Sequence, residues 1–111
     1  MKLRVQLVGV STPSNVLLTL SNDTLLNAAA LKHMLPKDYL AKNLPKGTGV
    51  HFDFSRRNEC ITLRTEGTIT VHLHSEEMKA DEEYPINLKD HGKLLHIGDM
   101  ILRADIRQSH F

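Results

Sequence analysis

The chain has a single cysteine, Cys60, in 111 residues. No internal disulfide can form, and a reducing, cytoplasmic setting is the expectation. No stretch approaches the roughly 20 consecutive apolar residues that a membrane-spanning helix needs. The opening Met1-Lys2-Leu3-Arg4-Val5-Gln6 interleaves charged and apolar residues and lacks the unbroken apolar run of a signal peptide, so no membrane partner is expected. Aromatic residues are scarce, with three Phe, two Tyr and no Trp, which leaves little for stacking nucleic-acid bases. An excess of one charge is also missing. Lys and Arg total 14 against 13 Asp and Glu, a net +1, which argues against strong non-specific attraction to polyanions. No Cys-x-x-Cys or His-x-x-x-His pair supplies a local zinc signature. Lys46-Gly47-Thr48-Gly49 lacks the spacing of a phosphate loop and precedes a strand rather than a helix, so it reads as a turn. With 41% apolar and 24% charged residues, and no repeat or linker, residues 1–111 read as one globular domain.

What the chain does have is alternation. In Val50-His51-Phe52-Asp53-Phe54 the apolar residues point one way and the polar ones the other, the mark of a strand with one buried face. Ile61 and Leu63 repeat the pattern, followed by Ile69, Val71 and Leu73, so three consecutive strands are expected to share one core. Thr65-Glu66-Gly67 reads as a hairpin loop pairing the second with the third, with Leu63 opposite Ile69 and Ile61 opposite Val71. Phe52 falls opposite Leu63 in the first pair, because a one-residue slip would bury Asp53. That register puts His51 beside Arg64 and Thr68, Asp53 beside Thr62 and Thr70, and Cys60 across from His72, with His74 continuing the row.

Around this meander, Lys2 to Val10 reads as a strand, and Ser11 to Asn15 as a loop. Val16 to Leu20 reads as a second strand, apolar enough to be covered on both faces and joined to the first as a hairpin. Asn22, Asp23 and Thr24 offer helix caps before an alanine- and leucine-rich run, so the main helix is expected over about residues 24–35. Pro36 ends it and opens a second, shorter helix that turns Tyr39, Leu40 and Leu44 inward. Ser75 could cap an acidic helical turn over Glu76 and Glu77, the alternative being an exposed acidic loop. Tyr84 to Leu88 is a short strand whose Pro85 marks a sheet edge, and Asp90-His91-Gly92 is a turn. Lys93 to Ile97, Gly98-Asp99 and Met100 to Arg107 form the last hairpin. The sum is a β-rich α+β fold, a mostly antiparallel sheet or small barrel of about seven to eight strands with one main helix. The strand–strand–helix–strand order at the start resembles the opening of a β-grasp, ubiquitin-like fold. The terminal Ser109-His110-Phe111 lacks the Gly-Gly tail that conjugation in that family requires.

The polar face of the meander, His51, Asp53, Cys60, Thr62, Arg64, His72 and His74, is the candidate binding surface, with Arg56 and Arg57 as basic loop candidates. A Cys60 nucleophile with His72 as base and Asp53 as orienter fails on geometry, because the strand of Cys60 lies between the other two. No catalytic residue and no cofactor are therefore assigned. Cys60, His72 and His74 form the weak zinc alternative. Single-stranded nucleic-acid binding through Arg56, Arg57 and Arg64 with Lys32, Lys37, Lys42 and Lys46 is the other alternative. The leading reading is a non-enzymatic binding or assembly module acting on a protein partner or on a second copy. It would work through the polar face or through the sheet edge at Tyr84-Pro85.

Overall fold

The computed structural model describes residues 2–8, 16–55, 60–87, 90 and 92–107. Leu3, Val5 and Leu7 alternate with exposed Lys2, Arg4 and Gln6 to build strand β1 (Lys2–Val8). The chain continues through β2 (Leu17–Leu20), β3 (Thr24–Leu26), α1 (Ala28–Leu31), α2 (Lys37–Asn43), β4 (Gly49–Asp53) and β5 (Cys60–Glu66). It then forms β6 (Val71–Leu73), β7 (Glu76–Glu77), β8 (Tyr84–Asn87), β9 (Lys93–Ile97) and β10 (Met100–Arg107). Every strand pair is antiparallel. The expected β-rich α+β class holds, with ten short strands in two sheets among the described residues. One sheet has the order β2-β1-β10-β9-β6-β7 and the other β3-β4-β5-β8. Both contribute to a single core, in which Phe52, Ile61, Leu63 and Ile86 from one meet Leu3, Leu95, Ile97 and Leu102 from the other.

Several expected elements form where the sequence puts them. β4 and β5 pair with Phe52 opposite Leu63, His51 opposite Arg64 and Asp53 opposite Thr62. The last hairpin turns at Gly98-Asp99, with Gly98 at φ 58° as a type II′ turn requires. β8 is a sheet edge, as Pro85 demands.

Other expectations are corrected. The meander breaks after Gly67, and β6 leaves for the other sheet, where it pairs with β9 and β7. Period-two alternation fixes which face of a strand is buried but not which neighbour it takes. Tyr84 and Ile86 of β8 match Leu63 and Ile61 as well as Ile69 and Val71 would, and β8 occupies that side of β5. Gly67 is left-handed at φ 76°, as expected, although it ends β5 rather than turning a hairpin, and a Cβ there would lie 2.3 Å from the Gly47 carbonyl oxygen. The helix over residues 24–35 is mostly absent. Thr24–Leu26 pair with β4 as a strand, and only Ala28–Leu31 are helical, capped by the Asn27 side chain accepting from the Ala30 N–H at 3.0 Å. A β4 edge that can gain a ladder outweighs small differences in helix propensity, which is only a weak prior. The β-grasp order is thereby interrupted by β3. Glu76 and Glu77 form a short strand instead of a helical turn. Leu17 in β2 is 51% exposed, so that strand is covered on one face only. Arg56, Arg57, the 9–15 stretch, Leu88, His91 and the 108–111 end, with Ser109, His110 and Phe111, lie outside the described residues.

The two halves of the fold are tied through Asn43, which is buried at the end of α2. Its Nδ2 donates to the Tyr39 carbonyl at 2.9 Å, and its Oδ1 accepts from the Asp99 N–H at 2.8 Å. This connects α2 to the β9–β10 turn. Gly98 makes room for it, because a Cβ there would lie 2.6 Å from Asn43 Oδ1. Replacing Asn43 by alanine removes two part-buried hydrogen bonds and leaves the Asp99 N–H without its side-chain partner, and is expected to cost about 1–3 kcal/mol. Gly98→Ala is expected to cost at least the roughly 1–2 kcal/mol of a left-handed alanine, plus the clash. Urea unfolding of both variants checks this; a loss below about 0.5 kcal/mol for Asn43→Ala would remove the tie from the account.

Candidate functional site

The polar side of β4 and β5 assembles four of the expected residues. His51, Asp53, Thr62 and Arg64 line a cavity of about 240 Å3 together with Asp23 and Glu83. His51 Nε2 is paired with Glu66 Oε2, and Arg64 has no ion-pair partner among the described residues. Asp53 Oδ1 accepts from the Ser55 N–H at 2.8 Å, and Asp23 Oδ1 accepts from the Phe54 N–H at 2.7 Å. Thr62 is buried. Three carboxylates line this small space against one guanidinium and one imidazole, so negative charge exceeds the permanent positive charge.

The remaining candidates do not join them. Cys60 is a buried free thiol opposite Asn87, not His72. His72 lies in the other sheet, opposite His96 on one side and Glu77 on the other, with its Nε2 3.8 Å from Glu77 Oε1. His74 occupies the exposed turn after β6 at φ 56°. The zinc set of Cys60, His72 and His74 is therefore divided between two sheets, and no metal-holding group of His, Cys, Asp or Glu occurs among the described residues. Thr68 and Thr70 likewise do not flank His51 and Asp53, because β8 stands there.

No protein-family model matches the chain, and neither does any curated protein or solved structure. No helix among the described residues is long and apolar enough to cross a membrane.

A second concave feature, larger than the cavity beside β4 and β5, lies at the other end of the same sheet. A groove of about 700 Å3 runs between α1 and α2 and onto the turn before β4. Its apolar surface comes from Leu25, Ala28 and Ala29 on one side and Leu40, Ala41, Leu44 and Pro45 on the other. Lys37, Leu40, Ala41 and Leu44 fall at i, i+3, i+4 and i+7, so one face of α2 forms a wall. Lys32, Lys37 and Lys46 stand around the groove, with the Glu66 carboxylate already paired with His51. Apolar floor with a small number of placed charges is the usual make-up of a binding cleft, and the volume is in the usual range. Sequence reading named Lys32, Lys37 and Lys46 as part of a nucleic-acid surface but missed the apolar groove they surround. Of their expected companions, Arg64 lines the smaller cavity and Lys42 pairs with Asp99. The groove's walls depend on α1 ending at Leu31, and its lysines come from three separate segments.

The opposite side of α2 faces the β9–β10 turn. Lys42 Nζ lies 2.7 Å from Asp99 Oδ2, and this contact raises the Lys42 pKa above the ordinary value. Both groups are well exposed, so the pair adds little stability. The Tyr39 pKa is also raised, by burial first and then by the charge of Asp99. Its buried hydroxyl has no hydrogen-bond partner among the described residues. For both groups the folded protein holds the proton more tightly than the unfolded chain. Their stabilising effect is full below the ordinary values of 10.0 and 10.5 and is lost as pH rises through the raised ones. Thermal melts are accordingly expected to fall above pH 10, and less steeply in Tyr39→Phe. At neutral pH that variant is expected to match the parent or gain up to about 1 kcal/mol, since it removes an unanswered hydroxyl. An unchanged alkaline slope would contradict the assignment.

Proposed function

We propose that this protein is a small non-enzymatic binding module that works through protein–protein contacts, with the groove between α1 and α2 as the docking surface. The observation that carries this reading is the combination of an apolar floor with Lys32, Lys37 and Lys46 around it. Apolar walls favour a partner that brings apolar side chains, and three ammonium groups favour one that carries carboxylates beside them. A helix with leucines at i, i+3, i+4 and i+7 and glutamates along its flanks meets both demands, in the helix-in-groove mode. The occupant proposed is such an acidic amphipathic segment of a partner protein. The pinning of α2 by Asn43 supports it, because a preformed wall lowers the ordering cost of binding.

A second reading rests on a different surface. Lys2, Arg4, Arg103 and Arg107 all lie on the solvent side of β1 and β10, where the register sets Lys2 opposite Arg107 and Gln6 opposite Arg103. Asp105 is the one acid among these rows, and it is tied to the Gly92 N–H at 2.6 Å and to Arg103. This flat basic face favours a single-stranded nucleic acid held by its phosphates.

One titration separates the two. A fluorescein-labelled Leu/Glu amphipathic peptide is expected to bind at micromolar strength, and the Lys32→Glu/Lys37→Glu/Lys46→Glu variant to bind at least about threefold more weakly, each exposed charge pair being worth roughly 0.2–1 kcal/mol. A labelled oligothymidylate in the same assay is expected to bind far more weakly and without dependence on those lysines. Anisotropy that reports equal peptide binding by both proteins would sink the groove reading. Tight oligothymidylate binding lost in Arg4→Glu/Arg107→Glu would instead favour the second.

A further inference from the structure

Four strands end the two sheets, and three of them are closed to an added strand. β7 consists of two glutamates, and β3 is three residues long and runs at once into the cap of α1. At β8, Pro85 has no N–H, so the Pro85–Thr62 pair must be one whose backbone groups point away from β5. Asn87, two residues on, points the same way. Its N–H donates to Asp90 Oδ2 at 2.7 Å and its carbonyl accepts from the Asp90 N–H at 3.0 Å. The Tyr84-Pro85 edge is thereby blunted.

β2 has none of these devices. It is Leu-Leu-Thr-Leu, without proline or charge. The Leu7 N–H donates to the Val16 carbonyl at 3.0 Å, so Leu7–Val16 is a hydrogen-bonded pair, and by alternation Val5–Leu18 and Leu3–Leu20 are too. Leu17 and Thr19 therefore turn both their N–H and C=O groups outward. Their side chains are exposed as well. This edge is its own complement. If Leu17 faces Thr19 of a second copy, Thr19 faces its Leu17, and four hydrogen bonds form about a two-fold axis at Leu18.

We propose that β2 is a self-association edge: two copies pair antiparallel with Leu18 opposite Leu18 of the second copy, joining two six-stranded sheets into one of twelve. Leu18 and Leu20, which pack against the core from its margin, then meet Leu18 and Val16 across the axis and extend the apolar layer. Repulsion between the two copies of Arg4 is weak. They are separated by three strand spacings, at least about 14 Å, beyond the roughly 8 Å screening length at physiological salt. This surface is distinct from the groove, so either proposal can fail without the other.

Sedimentation velocity on the full chain at about 10–100 μM tests it. The parent is expected to dimerise, and Thr19→Pro to dimerise at least about tenfold more weakly, because it removes two of the four interchain bonds while sparing the β1 ladder. Circular dichroism and a thermal melt establish that this variant folds. Oxidation of Leu18→Cys in a Cys60→Ser background is expected to give a disulfide-linked dimer, since directly opposed residues of that class have Cα atoms about 4.5 Å apart. Leu17→Cys, displaced from its own copy, is expected to give little. A parent that sediments only as a monomer overturns the proposal. So does a folded Thr19→Pro with undiminished dimer, or cross-linking equally fast at positions 17 and 18; if Thr19→Pro does not fold, the cysteine pair decides.

Discussion

Asn43 is the residue on which the arrangement of α2 turns. A buried amide with donor and acceptor both used is worth more for position than for energy, because each bond fixes a direction as well as a distance. One bond closes α2 on itself at Tyr39 and the other reaches a turn 56 residues away. Leu40 and Leu44 supply the burial that makes the helix stay; Asn43 specifies where its axis sits. With that face committed to the β9–β10 turn, Lys37 and Ala41 are left to form the groove wall.

The same division between energy and position runs through the sheets. Apolar side chains from both sheets fill one core, and any strand with correct alternation could contribute to it. What distinguishes the neighbours is polar and local. Pro85 forces β8 to an edge, Asp90 caps its outward groups, and Tyr84 accepts from the Lys79 N–H at 2.7 Å while its hydroxyl reaches Glu82 at 3.1 Å. Among the described residues, β2 carries none of these devices.

Legibility in the sequence followed the same line. The β4–β5 register could be read because slipping it would bury Asp53, and the last turn because Gly98-Asp99 is a local signal. Four of the seven residues of the proposed polar face followed: His51, Asp53, Thr62 and Arg64 meet as expected. Cys60 and His72 do not, because alternation is silent about which strand lies next door. The helix expected over residues 24–35 rested on summed propensities, which a pairing partner for Thr24–Leu26 overrode. The groove was illegible for a plainer reason. Lys32, Lys37 and Lys46 become neighbours of one cleft only after α1, α2 and the following turn have folded.

The placement of α2 depends on the Asn43 tie, and native-state hydrogen exchange reads that tie directly at the Asp99 amide. A turn amide with only solvent for a partner exchanges through small local fluctuations, whereas one held by a buried side chain opens only when a larger unit does. The expected result is protection of Asp99 within about 1 kcal/mol of the Leu102 amide in β10. Exchange of Asp99 near the rate of an unstructured chain, with Leu102 still protected, would contradict it.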